Sequence, residues 1–525
     1  MSIHTKVAGG IIVLGLVALV AYKLLSPVFE DSSLRSSSDA KATKGKIVIG
    51  MDSWIGYFPL CSPEMKKRLR RDGYLLECQD DSANYDSRMA AMQDNKLQFA
   101  VATIDSYLSN AGKYHFPATI VAILDESKGG DAIVGVKDKI KNLEDLKKLK
   151  DYKIAYTPAS PSEYLLESMA VHFDVERLLE KQRSWALETD GSAAALKAIE
   201  KGKVDVAVLW EPDVTRALNN PKLVKLLGTE DTNKLIVDIL LVNRKYSQRN
   251  PEAVNALLKT YFKVLKYYRD NTDKLIEDAK KYTDLKEQQV KPMLKGVKWV
   301  NLTENAVSWF GTTIGGATPQ DGLPETIDAT AQVLIDHGDF TKTPVPNADP
   351  YTLINSQFIQ ELYGRSMTST QFGSEHTRTA SVKGDNALSR EFEKLSDSEW
   401  KSLREVGSLK IRPIVFQSGS DELTQEGKRE LEKAIANLKH YPNFRVLVKG
   451  HTGVRGDASA NRVLSQKRAE AVANFLVTQY GADIDRFRPI GLGSAEPLPQ
   501  KPGESFRAYN YRLPRVELVL MAENI

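Results

Sequence analysis

From Lys46 onward, short runs of β-branched and aliphatic residues alternate with longer stretches of helical period. The runs are KIVIGM (46–51), FAVATI (99–104), TIVAIL (119–124), AIVGV (132–136), KIAYT (153–157), VDVAVLW (204–210) and LIVDILLV (235–242). Such alternation predicts an α/β fold whose strands are mainly parallel and buried on both faces. PEAVNALLKTYFKVLKYYRDN (251–271) begins with Pro and places Val254, Leu257, Leu258, Tyr261 and Val264 at helical spacing, a core helix. DPYTLINSQFIQELYG (349–364) has similar spacing and is expected to close the same domain. The period lapses over 367–405, rich in Ser and Thr, and REFEKLSDSEWKSLREVG within it is helix-prone. Beyond it lies a second pattern: a strand in LKIRPIVFQ, a helix in TQEGKRELEKAIANL, the strand FRVLVKGHT, the helix NRVLSQKRAEAVANFLVTQYG, then strands FRPIGLG and RVELVLM. That order predicts a smaller α+β domain.

At the other end, VAGGIIVLGLVALVAYKLL (7–25) carries one charge, Lys23, and matches the roughly 20 residues a helix needs to cross a bilayer. A cleaved signal peptide shares this look. No small-x-small site or lipid-accepting cysteine comes after it, so an uncleaved transmembrane anchor over 1–25 is expected, in contact with lipid through 7–25. Ser-rich residues 26–45 read as a flexible tether, with a reach of about 25 Å. The expected domains are 46–366, with a second lobe over roughly 131–230, a linker at 367–405, and 406–525.

Composition narrows the function. At 525 residues, with 42% hydrophobic and 27% charged positions, the chain is globular and built of about two or three units. A net charge of +4, spread evenly, gives no reason to expect nucleic acid as a partner. Cys61 and Cys78 allow either a disulfide or two thiols. Seven scattered histidines have no ligand spacing, so no metal is expected. No nucleophilic triad, carboxylate pair or phosphate loop appears, so neither catalysis nor a cofactor is expected.

In α/β folds the chemistry sits beyond the C-terminal ends of strands. Those ends carry Asp52 to Tyr57, Thr103 to Ser106, Asp125 to Gly130, Thr157 to Ser162, Asp190 to Ser192 and Trp210 to Pro212. Four segments there, MDSWIGYFPL (51–60), KLQFAVATIDSYL (96–108), KIAYTPASPSEYLL (153–166) and KGKVDVAVLWEPDVTRAL (201–218), resemble periplasmic solute-binding proteins of ABC importers, in the group that handles nitrate, sulfonates and thiamine precursors. The resemblance implies a two-lobed, type II fold with an interlobe cleft. Relatives of this fold that make a pyrimidine use clustered cysteines, which this chain lacks. The candidate solute-binding residues are Asp52, Trp54, Tyr57, Thr103, Asp105, Ser160, Asp190, Trp210 and Glu211. Ser160-Pro161-Ser162-Glu163 reads as a capping box that starts a helix, and a helix N-terminus in a cleft could also take an anion. The acidic set Asp52, Asp105, Asp125, Glu126 and Glu211 argues instead for a cationic or hydroxyl-bearing solute.

The final 120 residues resemble the OmpA C-terminal domain in IVFQSGSDELTQEG (414–427), GHT (450–452), NxxLSxKRAxxV (461–472), GLGSAEP (491–497) and the terminal RVEL (515–518). That resemblance implies peptidoglycan as partner, its diaminopimelate stem peptide held between an Asp after GHT and the helix arginine, here Arg468. The candidate residues are Thr452, Asp457, Asn461, Ser465 and Arg468, the last three of them repeating along one helical face. Guanidinium suits bidentate capture of a carboxylate. Gly453 stands where the family has its Asp, and Asp457 is the nearest substitute, with Arg455 beside it. The whole reads as a solute-binding or sensor protein of the bacterial inner membrane, its bulk in the periplasm and its far end on the wall. An inner-membrane protein is a further expected partner. Delivery of a solute to an ABC permease, and an envelope scaffold with a degenerate cleft, are the alternatives.

Overall fold

The computed structural model describes residues 43–312, 322–367, 388, 390–411, 413–417 and 419–523. The expected anchor, most of the tether and most of the linker lie outside the described residues. Among the described residues no helix is long and apolar enough to cross a membrane.

Three sheets organise the chain. The first contains β1 (Gly45–Met51), β2 (Tyr74–Asp80), β3 (Phe99–Thr103), β4 (Ala118–Ser127), β10 (Val237–Asn243) and β11 (Val297–Trp299), in the order β11-β4-β10-β3-β1-β2. The second contains β5 (Asp131–Val136), β6 (Ile154–Tyr156), β7 (Ala186–Glu188), β8 (Val206–Trp210) and β9 (Leu223–Gly228), in the order β7-β6-β8-β5-β9. All seven expected runs became strands, and four of the eleven strands in these two sheets lay outside them. These four, β2, β7, β9 and β11, are shorter or more polar, so the apolar signal misses them.

The sheets are mixed rather than mainly parallel. β1 pairs in parallel with β2 and β3, but β10 is antiparallel to both β3 and β4, and β5 is antiparallel to β8 and β9. The cause is the route of the chain. It leaves the first sheet after β4, builds the second, and returns through β10, so strands next to a crossover reverse direction. Residues 127–131 and 228–237 are the two crossovers. They are tied together by hydrogen bonds between the Ser127 and Thr229 hydroxyls (2.6 Å), from Gly129 N–H to Thr229 (2.9 Å) and from Lys128 Nζ to the Thr232 carbonyl (2.6 Å). Cys61 and Cys78 form a disulfide that fastens β2 to the short helix Phe58–Cys61.

The third sheet contains β12 (Arg404–Ser408), β13 (Arg445–His451), β14 (Phe487–Gly493) and β15 (Arg515–Ala522) in the order β12-β15-β13-β14, with helices Gln425–Lys439 and Ala458–Tyr480. The strand expected in LKIRPIVFQ is displaced. REVGS forms the edge strand against β15, Leu409 N–H adds one further bond to the Leu518 carbonyl (2.9 Å), and the chain then makes a local bridge between Phe416 and Leu423 away from the sheet. Pro413 has no N–H to donate, and the Lys410 N–H is taken by the carbonyl of His172 at 2.7 Å. The helix-prone segment yields only Asp397–Ser402, whose Trp400 lies beneath Arg445 and Arg488.

This C-terminal domain is seated on the second lobe and the return crossover. Ser408 N–H reaches Glu144 (2.9 Å), Asn443 reaches the carbonyl of Glu230 (2.8 Å), and Asn233 N–H reaches that of His440 (2.8 Å). At the centre, Nδ1 of His172 lies 2.8 Å from the Tyr441 hydroxyl, the His172 and His440 rings stack at 5.5 Å, and Phe173 meets Tyr441 edge-on.

Candidate functional site

The cleft between the first two sheets is closed around a cavity of about 10 Å³ lined by Asp52, Trp54, Tyr57, Tyr85, Thr103, Asp131, Pro161, Trp210, Ile236 and Asp238. That is room for about one water molecule. Five of the nine expected solute residues line it: Asp52, Trp54, Tyr57, Thr103 and Trp210.

The other four lie outside that lining. Ser160 accepts from Ser162 N–H (3.1 Å) and donates to the Thr157 carbonyl (2.6 Å), so its hydroxyl is engaged in starting the helix Pro161–Phe173. Glu163 reaches back one residue further than a capping box requires, to Ala159 N–H, and pairs with Arg183. Glu211 accepts from the N–H (3.0 Å) and hydroxyl (2.7 Å) of Thr215. Asp105 is buried in the first turn of its helix, which raises its carboxyl to about 7. Asp190 is exposed to solvent, outside the cavity wall.

The cavity wall is held from both strands and loops. The Trp54 N–H donates to Asp52 and its indole N–H to Asp125, each at 3.0 Å. Asp52 also accepts from Tyr85 and from Arg88, both at 3.1 Å, and Arg88 is shared with Asp81. Tyr57 donates to Asp238. Two glycines make this packing possible: a Cβ on Gly130 would lie 2.1 Å from the Trp54 ring, and one on Gly56 2.2 Å from its nitrogen.

Electrostatically the site is acidic. Asp52, Asp125, Asp131 and Asp238 are all buried, and the Arg88 guanidinium against them is already divided between Asp52 and Asp81. Burial pushes Asp125 up to about 7 and Asp131 to about 8, and Asp238 rises too. The charge of Asp125 adds to the burial that raises Asp238. An outer oxygen on each, and the Trp210 indole N–H, are buried with no hydrogen-bond partner among the described residues. Sequence reasoning missed Tyr85, Asp131 and Asp238. Asp238 had a signal: an aspartate inside the otherwise aliphatic run LIVDILLV is costly to bury without purpose.

In the C-terminal domain, Ser465 is buried and bonded to the Arg462 carbonyl (2.8 Å) and Gly493 N–H (2.9 Å), so it packs the helix onto the sheet instead of facing outward. Asp457 caps that helix through Ala460 N–H (2.8 Å), Asn461 donates to the Arg455 carbonyl (2.9 Å), and Thr452 holds Gly493 through its N–H (2.9 Å). Arg468 is half-buried, its Nε on the Ser420 carbonyl (3.0 Å) and its guanidinium 5.0 Å from the Phe416 ring centre. A Cβ at Gly453 would meet nothing within 4 Å.

Fold and cleft together describe a two-lobed α/β fold of the periplasmic-binding-protein type, extended by a small α+β domain. In detail, residues 40–289 match the substrate-binding domain of the ABC-type glycine betaine transport system, and residues 415–511 match the OmpA family. The two matches fall on the two-lobed part and on the C-terminal domain respectively.

The curated relatives align with the latter. They include the probable lipoprotein YiaD of Escherichia coli, 38% identical over 100 residues (19% of this chain, 45% of that one), and the peptidoglycan-associated lipoprotein of Agrobacterium fabrum, 31% identical over 85 residues (16% and 48%). The chain spans less than half the length of either relative. Among solved structures, the alkanesulfonate-binding protein SsuA of Xanthomonas axonopodis superposes with a TM-score of 0.45 at 16% identity, covering 59% of this chain and 99% of that one. The nitrate-binding protein NrtA of Synechocystis gives 0.47 at 13% identity, covering 64% and 92%.

Proposed function

We propose that this chain is a non-enzymatic envelope protein that binds a small solute between its lobes and holds peptidoglycan through its C-terminal domain, with residues 7–25 as its anchor in the inner membrane. The observation that carries the reading is a closed cleft with unpaired, buried donors and acceptors in a domain firmly seated on an OmpA-like one. Unpaired buried polar groups cost about 1–3 kcal/mol each, and a fold retains them where a ligand completes them. The peptidoglycan half is supported by a relative named for its association with peptidoglycan and by Arg468, whose forked guanidinium suits a stem-peptide carboxylate. The Cys61–Cys78 disulfide suits the oxidising periplasm. Fixed at membrane and wall, such a protein fits a sensor whose lobe closure reaches an inner-membrane partner better than a shuttle to a permease.

A second reading, a scaffold with a degenerate cleft, is favoured by the small size of the cavity. The two separate by native mass spectrometry of protein purified gently from the periplasmic face. A co-purifying solute that is lost in Trp210→Ala supports the receptor. An empty cleft, with no thermal shift across a metabolite panel, supports the scaffold. Co-sedimentation with isolated sacculi, abolished by Arg468→Ala, tests the wall contact.

A further inference from the structure

Resting on the reading of the cleft as a working solute site, we propose that its ligand presents a protonated primary or secondary amine, whose N–H groups bond Asp131 and Asp238, and an oxygen acceptor that takes the Trp210 indole N–H.

Three observations converge on this chemistry. First, the cavity is acidic on both lobes: Asp131 opens β5 of the second sheet, whereas Asp238 lies in β10 of the first, so a cation between them would pull the lobes together. Second, no described Lys or Arg side chain lines the cavity to answer Asp131 and Asp238. Arg88 is spent on Asp52 and Asp81, while Asp238 keeps one oxygen without a partner among the described residues. A bound nitrate or sulfonate would add negative charge to this set, at several kcal/mol in a buried site.

Third, the open positions are directional. A carboxylate oxygen needs a donor, which an ammonium with N–H supplies and a trimethylated nitrogen does not. The aromatic walls of Trp54, Tyr57, Tyr85 and Trp210 would welcome either kind of cation, so the unpaired Asp238 oxygen decides between them. Trp210, 3% exposed, contributes the reverse requirement, since its unpaired Nε1 is a donor only. The cavity of about 10 Å³ has the size of an ammonium head rather than of a whole metabolite, so the remainder of the ligand enters with the lobes apart.

The test uses the full-length chain in detergent and three isolated probes that share a hydroxyethyl group and differ in the charged head: ethanolamine, choline and isethionate. Titration calorimetry and intrinsic tryptophan fluorescence should show ethanolamine binding, with choline and isethionate at least about tenfold weaker. Asp238→Asn and Asp131→Asn, which keep side-chain shape, should each weaken ethanolamine by about 10- to 100-fold while circular dichroism stays unchanged. Choline binding as well as ethanolamine would overturn the N–H requirement, and isethionate binding alone would overturn the cation; either leaves a working solute site. Binding of none of the three at millimolar concentration overturns this inference, and the metabolite panel above then decides whether the solute site itself survives.

Discussion

Acidification should loosen the seat of the C-terminal domain on the second lobe. His172 is buried against Tyr441 and the stacked ring of His440, and burial lowers its imidazole to about 3, with the second histidine adding to the effect. His440 is itself lowered by burial and by Lys439. The Lys410–Asp174 ion pair borders them. A histidine held below its free value favours the docked, neutral form fully above about pH 6.5. That preference is lost as pH falls from there toward 3, because the undocked form gains a proton that the docked form refuses. At pH 5 the deficit for His172 is about 1.5 pH units, or about 2 kcal/mol, which lowers the docked-to-undocked ratio by about thirtyfold.

Hydrogen exchange reads this directly, since the amides of Lys410 and Asn233 donate across the interface to His172 and His440. After correction for the intrinsic pH dependence, their protection should fall by about thirtyfold between pH 7.5 and pH 5, while β4 and β10 keep theirs. In His172→Gln, which cannot charge, the fall should be much smaller. Unchanged protection in the native chain, or an equal fall in the variant, would refute the reasoning.

Three further outcomes are expected. Gly453→Asp returns a carboxylate to an open position and should strengthen co-sedimentation with sacculi by about tenfold, reduced again by Arg468→Ala. Gly130→Ala drives a methyl into the Trp54 ring and should cost about 1–3 kcal/mol in denaturant unfolding, along with the tryptophan fluorescence response to ligand. Arg88→Met strands the buried Asp52 and the half-buried Asp81 and should destabilise the first lobe by about 3–5 kcal/mol at pH 7 in denaturant unfolding.

The elements and their class were legible in the amino-acid pattern. Seven buried strands, the core helix at 251–270 and the order of the C-terminal domain could be read there because apolar periodicity is a local property, set by which face each residue must bury. The same pattern placed Asp52, Trp54, Tyr57, Thr103 and Trp210 at strand ends, where α/β folds form clefts.

Residues far apart in the chain needed the folded molecule to bring them together. Asp131 and Asp238 meet because the chain crosses between lobes twice, and no local pattern records a crossover. Ser160 was legible as a helix start, and its hydroxyl is engaged there, whereas Glu211 looked suited to a ligand and found a nearer partner in Thr215. The strand expected in LKIRPIVFQ moved to REVGS because Lys410 gives its N–H to another domain. Burial is cheap to read from a sequence. The destination of each hydrogen bond depends on which distant segment arrives to satisfy it.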